Sequence, residues 1–422
     1  MLVQKFGGGI LSSLEDIQRI VSVISASKPR VVVVSALQGV TDELLKIVDL
    51  ALAQKDFQTG LVALRQRHNV AQTALEDVFN ELEKILTGVS YTAEVSERLR
   101  AYVLSRGELL AALVLHAYLP DFSLIPAEKF GLIAHGPYAN ARCDFKKTKI
   151  KLPNENVITT GFYAPNENNE ICLFGRGGSD YSAAAIARSL NARRIEFWKN
   201  VDGFLTADPR IVPGAKHILD MGFEEASEVC RFGAKILHPS ALEPLVGTKI
   251  VAEIKNIMQP DNRGTQIYKE CKRNEIAAIA GRKNLAVISV SGNEMVEAFG
   301  IASKILTRIA DANIPVDVIA TGQANISFTV EQVYGKQALH ALADLNNFDV
   351  KLKEPLALVG IVGNAIKNNP SFIARVFAVL SSQHINVEMI SQGASEIDLS
   401  LVVDQKNYDH VIREFHKEFF NR

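Results

Sequence analysis

Three separate segments in the last third of the chain recur at one offset. "LAVISVSGN" begins at Leu285 and "LALVGIVGN" at Leu356; "IASKILTRIADAN" begins at Ile301 and "FIARVFAVLSSQH" at Phe372; "IPVDVIATG" begins at Ile314 and "INVEMISQG" at Ile385. Each pair lies 71 positions apart. Self-similarity in register over three segments means that one supersecondary unit is built twice. Each copy reads strand, helix, strand, turn, strand, with "ANISFTVEQ" closing the first and "IDLSLVVDQ" the second. Two α+β modules are therefore expected. Duplicated modules serve as structural support, as symmetric interfaces and as ligand sites.

The N-terminal part follows a different rule. "MLVQKF" reads as a short strand and "SSLEDIQRIVSVISASKP" as a helix, with Ile17, Ile20, Val21 and Ile24 at helical spacing. Ser12 and Glu15 stand three apart, as in a capping box. "RVVVVSAL" is a β-branched run suited to a strand buried on both faces. Strand, helix, strand implies a parallel pair with a right-handed crossover. Residues 44 to 118 read as mostly helical, and further strands are expected at "NVITTGFY", "EICLFG" and "RRIEFWKN". The alternation predicts a three-layer α/β domain over residues 1 to about 270.

Composition narrows the partners. With 46 basic and 47 acidic residues the net charge is −1, so no field favours nucleic acid or an anionic membrane. Cys143, Cys172, Cys230 and Cys271 form no CxxC pair, which predicts reduced thiols in a cytoplasmic protein. The nine histidines show no metal-ligand spacing. "MLVQKFGGG" does not have the pattern of a signal peptide, and "VVVVSAL" is too short to span a bilayer.

Each expected strand runs into polar or glycine-rich chemistry: "KFGGG", "SALQGVTD", "TTGF", "GRGGSD" and "KNVDG". In open α/β sheets ligands sit beyond the carboxyl ends of the strands. In "GRGGSD", Gly177 and Gly178 allow close backbone approach before a helix N-terminus, which suits an anion. Arg176 can grip a carboxylate in two-pronged fashion, while Asp180 must serve something positive. Read alone, the stretch is equally a tight turn with Ser179 or Asp180 as helix cap. Lys5 beside Gly7, Gly8 and Gly9 suits polyphosphate, although neither a GxxxxGK[ST] nor a GxGxxG pattern is present. Asp180 would orient Lys5. "LSRGELLAALVLHAYL" sets Glu108 at the start of an apolar helix, where it meets an ammonium group or serves as a first-turn acid. Arg210 and Lys235 are candidates for nucleotide phosphates.

Taken together, "KFGG", "VVVVSALQGVTDEL", "SRGE", "FGRGGSDYSAA", "VDGFLTADPRIVPGAK" and "FGAKILHP" resemble the aspartokinases of the amino-acid kinase family over essentially the whole chain. The repeat resembles tandem ACT domains, with "NVEMISQGAS" typical of the second. The resemblance implies a kinase domain over 1–272 with a mainly parallel sheet. It implies a first ACT domain (βαββαβ, ferredoxin-like) over 284–352, inserted into a second made of 273–283 and 353–422. It implies phosphorylation of L-aspartate by ATP with Mg2+ to 4-phospho-L-aspartate, opening lysine, threonine and methionine synthesis. Lys5 would act on the transferring phosphoryl group and Asp180 would organise it. Arg176 would bind the α-carboxylate and Glu108 the α-ammonium of aspartate, with Ser35, Thr41, Phe162 and Ser179 lining that site. Gly7, Gly8, Lys199, Asn200, Leu205, Arg210 and Lys235 fall at nucleotide positions, and Met295, Gly300, Asp317 and Gln323 at effector positions. A homodimer through the ACT domains and an inhibitory amino acid, lysine before threonine, are implied as well. The family's usual Thr-Asp before "VDG" is here Lys199-Asn200, and its usual tyrosine is Leu205. A kinase for another amino acid such as glutamate, or an ACT-domain sensor with a decayed kinase site, are the alternatives.

Overall fold

The computed structural model describes residues 1–68, 73–234, 236–271, 275–292, 295, 299–345, 347–366, 369–392 and 397–421. They form two compact units. The first comprises Met1–Phe204, Leu219–Phe223 and Ile236–Cys271; the second comprises Leu205–Ile218, Glu224–Lys235 and Lys272–Arg422.

The first unit is built on eight strands: β1 (Leu2–Phe6), β2 (Val31–Val34), β3 (Ser123–Leu124), β4 (Val157–Thr160), β5 (Arg194–Lys199), β6 (Asp220–Gly222), β7 (Val251–Asn256) and β8 (Thr265–Tyr268). Their order is β6-β8-β7-β5-β1-β2-β4-β3. The β7–β8 pair is antiparallel and the other neighbours are parallel. Val31 to Val34 are fully buried, as a strand covered on both faces requires. The helix Leu14–Ser27 is capped one residue later than the spacing suggested. Ser13 accepts from the Asp16 amide and Asp16 accepts from the Ser13 amide. The Ser12 amide and hydroxyl and Arg19 Nη1 also donate to Asp16, so four donors converge on that carboxylate and Glu15 is left exposed. The "EICLFG" segment supplies a strand outside the main sheet: Ile171–Leu173 pairs antiparallel with Tyr163–Pro165.

The helix that carries Glu108 also departs from expectation. It starts at Glu97, capped by the Ser96 hydroxyl, and ends at Tyr118, so Glu108 lies in mid-helix and is no first-turn acid. Gly107 sits where a Cβ would meet Ala36 Cβ at 3.1 Å and Val40 at 3.3 Å. The helix thus comes close to the loop after β2, and that closeness brings Glu108 to the sheet's carboxyl edge.

Among its described residues the second unit holds six antiparallel strands: β9 (Ala278–Ser291), β10 (Ile319–Thr321), β11 (Asn325–Glu331), β12 (Asp349–Val362), β13 (Met389–Ser391) and β14 (Asp398–Asp404). Their order is β10-β11-β9-β12-β14-β13. The repeat is visible in the packing. Ile305, Ile309 and Ile314 are buried in one core, and Val376, Leu380 and Ile385, 71 positions on, are buried in the other. The segment that leads the second module is no separate strand. β9 and β12 are each 14 residues long and run through both modules, Ala278–Arg282 facing Leu358–Val362 and the rest of β9 facing Asp349–Leu356. An ion pair is repeated too: Arg282 meets Asp317 at 2.5 Å, and Lys353 meets Glu388 at 2.5 Å. Ala207 and Val212 join the second core, where Thr206 Oγ1 shares a buried hydrogen bond of 2.9 Å with His416 Nε2.

Candidate active site

The loops after the parallel strands meet around a cavity of about 470 Å³. Lys5, Gly8 and Gly9 come from the end of β1, and Ser35 to Gly39 with Thr41 and Asp42 from the loop after β2. Phe162 follows β4, and Gly175 to Asp180 lead into the helix Gly178–Ser189. Glu108 completes the lining. The turn before that helix can be made only by glycine. Gly177 has φ 70°, and a Cβ there would stand 2.2 Å from the Cβ of His238. Phe162 also has a positive φ, 74°, a conformation of order 1–3 kcal/mol above an ordinary one for a bulky residue. It is held there by the Ser182 hydroxyl on its amide and by the Phe174 amide on its carbonyl.

Three buried ionisable groups set the electrostatics. Lys5 Nζ lies 2.5 Å from Asp180 Oδ1, with both side chains almost fully buried. Burial pulls Lys5 down to about 8, against the attraction of Asp180. Burial alone would raise Asp180, but the charges of Lys199 and Lys5 more than offset it and hold the carboxyl down at about 2. Lys199 Nζ takes the other oxygen, Oδ2, at 2.6 Å. Glu108 is pushed up to about 8 by burial, against the opposing pull of the Ala36 amide, Lys5 and Ser179. Its Oε1 is 3.4 Å from the Ser179 hydroxyl, and its Oε2 is buried without a hydrogen-bond partner. Arg176 is exposed and makes no ion pair among the described residues. A cavity with this lining can neutralise an anion at Lys5, receive a cation at Glu108 and hold a second anion at Arg176.

The structure brings together Lys5, Gly8, Ser35, Thr41, Glu108, Phe162, Arg176, Ser179 and Asp180. Gly7 borders the lysines, since a Cβ on it would stand 3.4 Å from Lys5 Nζ and 3.9 Å from Lys199 Nζ. Asn200 is exposed beyond β5. Leu205 and Arg210 belong to the second unit, where Leu205 bridges His217 and the Arg210 guanidinium is taken by Asp208. Lys235 lies outside the described residues. Among the effector candidates, Met295 is buried in the first module's core, and Gly300 caps the helix Ile301–Asp311 with φ 81°. Gln323 is exposed, and the Asp317 carboxylate is already paired with Arg282. Gln38, Gly39 and Asp42 line the cavity without having been singled out, although "SALQGVTD" contains all three.

Residues 1–256 match the model of the amino acid kinase family, and residues 288–345 with 359–419 match that of the ACT domain. Aspartokinase 2, chloroplastic, of Arabidopsis thaliana is 29% identical over 99% of this chain and 84% of its own length. The crystal structure of E. coli aspartokinase III in complex with aspartate and ADP, an R-state, superposes with a TM-score of 0.82 at 27% identity, covering both chains completely. The T-state of that enzyme with lysine and aspartate gives 0.82 at 27% identity, covering 100% of this chain and 99% of the other. With its parallel-dominated sheet, its convergent loops and its paired modules, this chain belongs to the amino acid kinase family and carries ACT domains after the kinase domain.

Proposed function

We propose that the protein is an aspartate kinase, transferring the γ-phosphoryl group of ATP to the β-carboxylate of L-aspartate to give ADP and 4-phospho-L-aspartate. The observation that carries this reading is one cavity lined by the Lys5–Asp180 pair, by Glu108 with its unpartnered Oε2, and by Arg176, which makes no ion pair among the described residues. An amino acid offers an ammonium to Glu108 and an α-carboxylate to Arg176, whose planar fork matches it. Its side-chain carboxylate is then free to attack. A carboxylate is already a nucleophile, so the site needs no strong base. Its work is alignment and neutralisation of the charge on the transferring group, with Lys5 as the principal cation. Solved relatives of this architecture hold aspartate with ADP, and aspartate with lysine. Magnesium enters as part of the nucleotide complex and keeps several waters. Asp180 is occupied by two lysines, and no group of three metal-ligating side chains occurs among the described residues.

Within the same proposal, residues 1–272 are the catalytic domain of a cytoplasmic enzyme serving lysine, threonine and methionine synthesis. The ACT pair forms a homodimer and binds an inhibitory amino acid, lysine before threonine. Asp317 would receive the effector's ammonium by releasing Arg282. ADP release, coupled to NADH oxidation, tests the reading with aspartate, with glutamate and with neither. Turnover with aspartate is expected, and the Lys5→Ala variant should lose about 100-fold, on the order of 3 kcal/mol. Turnover with glutamate alone, or none with either, removes the assignment. Inhibition by lysine that persists unchanged in Asp317→Ala moves the effector site elsewhere.

A further inference from the structure

We propose that Lys199 is a second cation for the donor's phosphates, held beside Lys5 by the carboxylate they share, and so acts as a catalytic residue alongside it. The inference rests on the kinase reading above and gives Lys199, which the resemblance placed only among the nucleotide positions, a specific partner and a specific task. β1 and β5 are adjacent and parallel, with Lys5 opposite Phe197. Lys199, two residues beyond Phe197, lies on the same face of the sheet. Two ammonium groups therefore emerge from neighbouring strand ends toward the first turn of the helix Gly178–Ser189. Asp180 stands between them, one oxygen on each, at 2.5 Å and 2.6 Å.

One carboxylate cannot balance two ammonium groups. Until an ammonium group meets it, Glu108, the other buried acid near Lys5, is largely protonated below about pH 8 because burial outweighs its neighbours. The cluster is left with an excess positive charge in a poorly hydrated place, which is costly unless an anion completes it. Holding Asp180 for structural reasons requires one lysine; the second repels the first and adds to the burial that pulls Lys5 down to about 8. The chain keeps this arrangement open on one side. Gly7 borders both ammonium groups, and its missing Cβ leaves that approach clear. The Lys199 side chain is 20% exposed and that of Lys5 3%, so Lys199 is the cation that an incoming polyanion meets first.

Phosphate number separates a phosphate contact from a structural prop. ATP, ADP and AMP are titrated calorimetrically into the full-length wild type and into Lys199→Met, which keeps the apolar stem and removes the charge. ATP should bind roughly 10- to 100-fold more weakly, ADP less so, and AMP about equally, as loss of a charge-assisted contact predicts. Lys199→Arg should recover part of the ATP affinity. Thermal melting of each variant reports whether the fold survives; Lys199→Gln replaces the methionine variant if it does not. An equal loss for all three nucleotides, or none, overturns the inference. Should the wild type fail to phosphorylate aspartate while ATP affinity still depends on Lys199, the aspartate assignment falls and this one stands.

Discussion

Replacing Glu108 by glutamine should strengthen the protein while disabling it. Glu108 is 3% exposed, and its Oε2 has no hydrogen-bond partner. Burial raises its carboxyl from an ordinary 4.5 to about 8. A group whose folded value lies above its unfolded value binds more protons when folded between the two, so the stability it contributes is complete at acid pH. That stability is lost as pH rises from about 4.5 to about 8. At about 1.4 kcal/mol per pH unit the span amounts to roughly 5 kcal/mol. Glutamine matches the shape and carries no charge, so Glu108→Gln escapes this loss. The variant and the wild type should melt at similar temperatures at pH 5. At pH 8.5 the variant should be the more stable by something on the order of 10 °C, taking 2–4 °C per kcal/mol. In the same variant kcat/KM for aspartate should fall about 100-fold or more, because an ammonium group no longer meets a carboxylate. The readout is the difference between the two melting curves across pH, which cancels the other titrating groups. Parallel curves from pH 5 to 8.5 would show that Glu108 is ionised throughout and would refute the reasoning.

Two further outcomes follow from the same cavity. Arg176→Lys should raise the KM for aspartate and leave that for ATP nearly unchanged, since a lysine cannot reproduce the planar fork; a change confined to ATP would mean that the two subsites are exchanged. Gly177→Ala forces a Cβ to 2.2 Å from His238 in a left-handed turn and should cost about 3 kcal/mol, read as a lower melting temperature with the cavity-dependent activity lost together with it.

Much of this site could be read because its residues sit in short motifs at strand ends. Lys5 and Ser35 stand at the carboxyl ends of β1 and β2, positions that a parallel sheet gathers at one edge, while Arg176 and Asp180 follow the apolar strand Ile171–Leu173 outside that sheet. Glu108 could be named as a candidate but not placed. The start of its helix depends on the Ser96 cap, 12 residues upstream, and its depth on Gly107 packing against Ala36. The positive φ of Phe162 had no signal, because tertiary hydrogen bonds from Ser182 and Phe174 impose it on a residue that disfavours it. The double use of Asp180 was hidden for a similar reason: Lys199 looked like a substitution within a nucleotide motif until strand pairing set it two residues beyond the partner of Lys5. The repeat announced two modules, yet no pattern in it could show that Thr206 and His416, 210 positions apart, share a hydrogen bond.

The passage of β9 and β12 through both modules decides how the regulatory part could ever be severed. A cut between residues 283 and 284 would split a single strand, leaving Leu358–Val362 of β12 without its neighbour on that side. Neither module can be released intact alone. A fragment must begin before Ala278 and carry both, and even then it leaves Leu205–Ile218 behind. Ala207 and Val212 would be stripped from the core that includes Ile279 and Tyr408, and His416, buried in the whole chain, would lose Thr206. Such a fragment would present a fresh apolar face of its own making, and any self-association it showed would report the amputation as much as the native assembly.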